Sequence, residues 1–171
     1  MDFREIVEFF RDAFKYIVVA VVVFLLFIFV IGLQQVVGPS MTPTLKQGSV
    51  VIVNKLQKTP KREQVIVLHH AEKYMIKRVI GLPGDTVECK DNILYINGEK
   101  YDEPYLPEGM VNEDFSTKAM GYEVIPDDMY LVLGDNRVDS QDSRDYGLVS
   151  KKDIIGRVML SIWPLDNIKK F

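Results

Sequence analysis

Apolar positions fall along this chain in two regimes. From Tyr16 to Leu33 it reads YIVVAVVVFLLFIFVIGL, without a charge and, Tyr16 apart, without a hydrogen-bonding side chain. A helix rises about 1.5 Å per residue, so this run nearly spans a hydrocarbon layer of about 30 Å. The residues are apolar all round instead of in one stripe, which distinguishes a membrane helix from an amphipathic core helix. Gln34 and Gln35 mark an interface and Val36–Val37 extend the apolar length, so the pattern predicts a membrane span over 16–37. Gln-Gln-Val-Val offers no small-residue cleavage site, and the segment reads as a retained anchor, not as a cleaved leader.

Residues 38–171 follow a shorter period. Apolar, β-branched runs recur at Val50–Val53, Val65–Leu68, Met75–Ile80, Thr86–Cys89, Ile93–Ile96, Met129–Leu133 and Ile154–Ile162. Pro83-Gly84-Asp85, Asp91-Asn92 and Asn97-Gly98 punctuate them, and VECKDNILYINGEKY predicts a three-stranded meander with tight connections. The stretch 102–121 is polar, carries Pro104, Pro107 and Gly109, and predicts a surface excursion. There is no internal repeat and no long amphipathic helix after the anchor. The expected fold is mostly β: an antiparallel, barrel-like domain anchored by one N-terminal transmembrane helix.

Charge orients this arrangement. Arg4, Arg11 and Lys15 precede the span closely, and the first basic residue beyond it is Lys46. The positive-inside rule then makes 1–15 a cytoplasmic tail and 38–171 an extracytoplasmic domain. Composition removes several classes. With 21 Lys+Arg against 24 Asp+Glu, nothing favours nucleic acid. Cys89 is the only cysteine, so a disulfide scaffold is excluded, and with only His69 and His70 beside it a four-ligand zinc site is excluded too.

Three patches place polar residues where periodicity predicts burial or tight turns. In GPSMTPTL, residues 38–45, Pro39 and Pro43 restrict the backbone around Ser40 and Gly38 permits unusual angles. A serine on a stiff loop suits a nucleophile, although most such turns are only turns. In YMIKRVIGLPGD, residues 74–85, strand alternation sets Lys77 on one face with Met75 and Val79, and Arg78 on the other with Ile76 and Ile80. A lysine among apolar neighbours loses basicity through desolvation and can act as a general base. Taken alone, it reads more readily as an edge-strand lysine snorkelling to water. The third patch, LGDNRVDSQDSRDYG at 133–147, resembles a calcium loop only superficially. Arg137 stands where an oxygen ligand is needed and the required glycine is missing. Its arginines among carboxylates predict a rigid, internally paired network.

In order, Ser-Met-x-Pro-Thr at 40–44, Lys-Arg-x-x-Gly-x-Pro-Gly-Asp at 77–85 and Gly-Asp-Asn-Arg-x-x-Ser-x-Asp-Ser-Arg at 134–144 resemble the bacterial type I signal peptidases, and the anchor precedes them. These are membrane-anchored serine endopeptidases that remove signal peptides from exported preproteins. The resemblance implies Ser40 as nucleophile and Lys77 as general base, without a catalytic histidine. It implies Ser140 as the serine orienting the lysine amine, Asp142 and Arg144 as a supporting pair, and Met41 as a residue of the substrate cleft beside the membrane. The stretch around Met41 and Leu45 would then rest on the bilayer. Arg78 reads as structural. No metal, nucleotide or other cofactor is implied.

Further implications are preproteins cut after small residues at positions −1 and −3, contact with membrane lipid, transient contact with the secretion machinery, and residence in a bacterial plasma membrane. Two positions depart from parts of the family pattern. Gly38 stands where some members have a serine that helps hold the oxyanion, and Met75 where some have an aromatic. The short chain and Gly-Pro-Ser context resemble the compact Gram-positive forms. A related branch uses histidine in place of the lysine, but His69 and His70 lie upstream of that position and read as surface residues. Rival readings are another Ser-Lys protease, disfavoured by the anchor, and a non-enzymatic anchored β module, disfavoured by the presence of both Ser40 and Lys77.

Overall fold

Helix α1, Phe3–Val30, leads directly into the strands in the computed structural model, which describes residues 3–165 and 168–171. The first two residues of the expected tail therefore lie outside the described residues. Within α1, Val7–Val30 is long and apolar enough to cross a membrane, and none of it is buried against the rest of the protein. The helix stops short of the expected Val37 because Ile31–Gln35 forms strand β1. Its backbone finds partners in β2, Val50–Asn54, in antiparallel register from Ile31↔Asn54 to Gln35↔Val50. Lys55 seals the junction: its N–H donates to the Val30 carbonyl at 2.9 Å and its ammonium to the Ile28 carbonyl at 3.3 Å. A cation there also complements the negative end of the helix dipole.

The remaining strands are β3 (Val65–His70), β4 (Lys73–Gly81), β5 (Val87–Lys90), β6 (Ile93–Ile96), β7 (Glu99–Tyr101), β8 (Phe115–Ser116), β9 (Met129–Leu133), β10 (Val149–Ser150), β11 (Ile154–Trp163) and β12 (Lys169–Lys170). A four-residue helix α2, Ser143–Tyr146, precedes β10. The first sheet runs β1-β2-β11-β3-β4-β9-β10, with β12 added to β11, and all its pairings are antiparallel. A second sheet, β7-β6-β5-β8, contains the expected meander, and its Asp91-Asn92 and Asn97-Gly98 turns have positive φ at both central residues, as right-twisted hairpins require. The fold is thus mostly antiparallel β with one N-terminal apolar helix, as expected. The first sheet is not a closed barrel, since among the described residues no pairing joins β1 to β10.

Alternating side chains of the first sheet feed separate cores. Val51, Val53, Val65, Val67, Ile76 and Val158 pack in one cluster. Ile80, Leu131 and Leu133 meet Val87, Cys89, Leu94 and Ile96 of the meander and join the two sheets. Segment 102–121 runs largely over the surface, as its polarity predicts, but several of its side chains turn inward. Asn112 is 7 % and Thr117 2 % exposed, and Glu103 reaches into the protein to pair with the buried Arg137. Glu103 and Asn112 serve as internal partners for the buried guanidinium.

Candidate active site

Ser40 sits on the turn that follows β1. Gly38, at φ +82°, makes the left-handed step that lets the chain leave the strand. The Pro39 carbonyl accepts from the Thr42 N–H at 2.9 Å, closing a tight turn around Ser40. Asn136 clamps that turn from the third patch: its N–H donates to the Ser40 carbonyl at 3.0 Å and its side-chain amide to the Pro39 carbonyl at 3.3 Å. Ser40 itself is half-buried and opens on a cleft of about 620 Å³ that Lys77 also lines, with Pro39, Met75, Ile76 and Gln141.

Lys77 lies near the middle of β4, opposite Ile66 of β3, and only 2 % of it is exposed. The expected snorkelling to water fails, because the side chain is buried, even though β4 pairs with β9 only from Arg78 onward. The alternation holds, with Met75 and Val79 packing in the cluster around Ile66, Leu68 and Val132, whereas Ile76 and Ile80 serve the cores on the opposite side. Burial pushes the Lys77 amine down to about 8, against the pull of the Asp142 carboxylate and helped by the Arg144 charge. The amine donates to Ser140 Oγ at 2.9 Å.

Behind Ser140 stands the pair Asp142 and Arg144. Arg144 grips the carboxylate in bidentate fashion, Nε to Oδ1 at 2.8 Å and Nη2 to Oδ2 at 2.9 Å. Asp142 also caps α2 in a reciprocal box with Asp145 and accepts the Gly134 N–H at 3.0 Å. Burial alone would raise its carboxyl; hydrogen bonds from Arg144, Gly134 and Ser140 outweigh that and hold it below the usual carboxylate value. A connected path therefore runs from the Lys77 amine through the Ser140 hydroxyl to Asp142 and Arg144.

Arg78, on the opposite face of β4, is held by Asp135 through Nε at 2.8 Å and Nη2 at 2.6 Å, and lies 4.0 Å over the Tyr105 ring. Met41 corrects an expectation. It is 0 % exposed, packed in one buried cluster with Val36, Leu45 and Val51, so its side chain has no surface to offer a substrate. Leu45, equally buried, cannot rest on a bilayer. Hydrophobic burial claims both, since each removes its apolar surface from water in the cluster with Val53, Val65 and Val158. His69 is exposed, and His70 is half-buried against the Tyr146 ring at 4.3 Å.

Two positions gain roles the sequence did not disclose. One is Asn136, the clamp on the serine turn. The other is Gly134: a Cβ there would overlap the Ser140 hydroxyl and stand 2.5 Å from the Ser40 carbonyl oxygen. Its carbonyl accepts from Arg137 Nε at 3.0 Å, and Arg137 is fixed in turn by Glu103 and Asn112. Both residues occur in the Gly-Asp-Asn-Arg run, but a signal for their roles needs the spatial proximity of residues far apart in sequence.

The fold and the cleft together define a β-rich serine hydrolase with an apolar N-terminal helix that fits membrane anchoring. The profile of the family described as signal peptidase, peptidase S26, matches residues 10–163. Signal peptidase I of Bacillus caldolyticus is 43 % identical over 149 residues, covering 80 % of this chain and 82 % of its own. Signal peptidase IB of Staphylococcus aureus is 41 % identical over 165 residues, covering 87 % and 86 %. The crystal structure of a signal peptidase I from Enterococcus faecalis superimposes with a TM-score of 0.54 at 35 % identity, covering 59 % of this chain and 97 % of that one. The chain belongs to the signal peptidase family, peptidase S26. It is a serine endopeptidase that removes signal peptides.

Proposed function

We propose that Ser40 and Lys77 form the catalytic dyad and that the cleft they share receives the cleavage site of a preprotein. The observation that carries this reading is the buried Lys77, hydrogen-bonded to Ser140 and lining one cleft with Ser40. The neutral Lys77 amine takes the proton from Ser40 Oγ as the oxygen attacks the scissile carbonyl carbon. The Lys77 ammonium then protonates the departing amine, the C–N bond breaks, and the signal peptide remains esterified to Ser40. A water enters, gives its proton to Lys77 and attacks the ester; Ser40 recovers a proton and the signal peptide leaves as a carboxylic acid. Ser140 and Asp142 orient the amine, with Arg144 bracing Asp142. With Gly38 lacking a side chain, the Ser40 N–H is the first oxyanion donor, a contribution commonly worth about 3 kcal/mol.

Strand pairing supports the substrate reading. β4 pairs with β3 along its whole length but with β9 only from Arg78 onward. Its other edge from Lys73 to Lys77 is without a strand partner among the described residues and borders the cleft. An extended peptide adds there by backbone hydrogen bonds, and shallow apolar pockets select small residues at −1 and −3. The anchor lies with residues 1–15 in the cytoplasm and the catalytic domain outside a bacterial plasma membrane. There it meets lipid, the secretion machinery and membrane-bound preproteins.

The test is cleavage by the purified full chain of a preprotein with an Ala-x-Ala site, mapped by mass spectrometry, alongside Ser40→Ala. A single cut after the −1 alanine that vanishes in the variant is the expected result. Persistent cleavage in folded Ser40→Ala overturns the assignment.

A further inference from the structure

A second cavity, of about 600 Å³, lies where α1 meets the sheet, lined by Phe27 and Ile28 of the helix and by Leu33, Ile52, Val67 and Ile155 of the strands. Among the described residues its one charged lining residue is Lys55, whose ammonium donates to the Ile28 carbonyl. It also shares the lining residues Gln34 and Tyr74 with the cleft of Ser40 and Lys77, so the two cavities are neighbours that meet at these side chains. The lining is predominantly apolar beside the anchor, carries an amide and a phenol where the two cavities meet, and is more polar in the cleft of Ser40 and Lys77. A signal peptide has the same order: an apolar segment of roughly 7–15 residues, then a more polar stretch with small residues at the cut.

We propose that the groove between α1 and strands β1, β2 and β11 binds the end of the signal peptide's apolar segment and aligns the cleavage site with Ser40. This rests on the reading of the cleft above. Because the groove begins at the last turns of the membrane-crossing helix, the substrate's apolar segment enters it sideways from the bilayer. Burial there replaces the lipid contacts the segment gives up, and the alignment confines the peptide before it reaches the β4 edge. The affinity this supplies is available only to substrates that carry the apolar segment.

The experiment compares two substrates, a full preprotein and a short peptide containing only the cleavage-site residues, with the full-length enzyme in lipid vesicles. Leu33→Gln and Ile155→Gln change groove positions that are not fully buried. An amide set against the bound apolar segment without a hydrogen-bond partner raises KM for the preprotein roughly tenfold, with kcat held and the short peptide cut as by the unsubstituted enzyme. Equal losses on both substrates, or no loss on either, overturn the proposal. A photoreactive phenylalanine analogue at the end of the preprotein's apolar segment gives a second readout, taken on Ser40→Ala so that it does not depend on cleavage. Crosslinks to the peptides holding Ile52 or Ile155 support occupation of the groove; crosslinks to lipid alone overturn it. Failure of the dyad shows separately, as short-peptide cleavage that survives Ser40→Ala.

Discussion

The Lys77 amine and the Ser140 hydroxyl stand 2.9 Å apart, although they lie 63 positions apart in sequence. That contact fixes a flexible side chain in one orientation inside an otherwise apolar cluster. It also connects the amine to Asp142, so the site combines desolvation, which favours the neutral amine, with a carboxylate that resists its loss of charge.

Activity should therefore follow the Lys77 amine. With its value pushed down to about 8, the neutral form is the minority at pH 7 and dominates above that value. We expect kcat to rise with pH through an inflection near 8 and then level. Ser140→Ala should lower kcat by about tenfold to a hundredfold with little change in KM, because the amine loses its orientation. A pH–rate profile of both forms on the short peptide checks this.

Stability should move the opposite way when the charge is removed. In the unfolded chain Lys77 titrates near 10.5 and in the folded chain near 8, so the unfolded state holds the proton more tightly between those values. Folding is penalised below pH 8, and the penalty fades as pH rises toward 10.5. Lys77→Met should be inactive yet more stable by on the order of 3 kcal/mol at neutral pH, with the gain gone above pH 10.5. Denaturant titrations at pH 7 and pH 10.5 measure the difference.

Gly134→Ala tests the close approach of the serine turn to Ser140. The added methyl forces the Ser40 carbonyl or the Ser140 hydroxyl to move, and misplacement of about 1 Å costs about a hundredfold in rate. The expected outcome is that loss of cleavage in a protein whose circular dichroism matches the parent.

Arg78 and Asp135 should couple strongly in stability. Asp135 is fully buried, and Arg78→Met leaves its carboxylate without a counter-charge, at about 3–5 kcal/mol. The double variant with Asp135→Leu should recover most of that loss. A double-mutant cycle of unfolding free energies gives the coupling directly.

Much of this architecture is legible in period and punctuation. The β-branched runs at Val50–Val53 and Met129–Leu133 became strands, and Asn97-Gly98 made the tight turn its residues demand. The alternation around Lys77 was legible, but whether its strand was central or at an edge was not, since that depends on β9, which begins more than fifty residues later. The end of the helix was hidden because Ile31–Leu33 is as apolar as the helix before it, and only pairing with β2 selects a strand. Met41 misled for a related reason: an apolar residue near a membrane span suits a bilayer and a core equally, and only tertiary packing decides. Glu103 lies in a stretch whose polarity suggests solvent, and its partner Arg137 is 34 residues away.

Because successive strand residues face opposite ways, Lys77 and Arg78 owe their separate fates to the register of β4. A one-residue slip would carry a permanently charged guanidinium into the cleft and strip Asp135 of its partner, while the lysine went to the opposite core. The Arg78–Asp135 pair thus acts as a pin: the energy lost in any slipped pairing is electrostatic and immediate. A residue that never enters the cleft thereby decides which of two neighbouring cations the substrate meets.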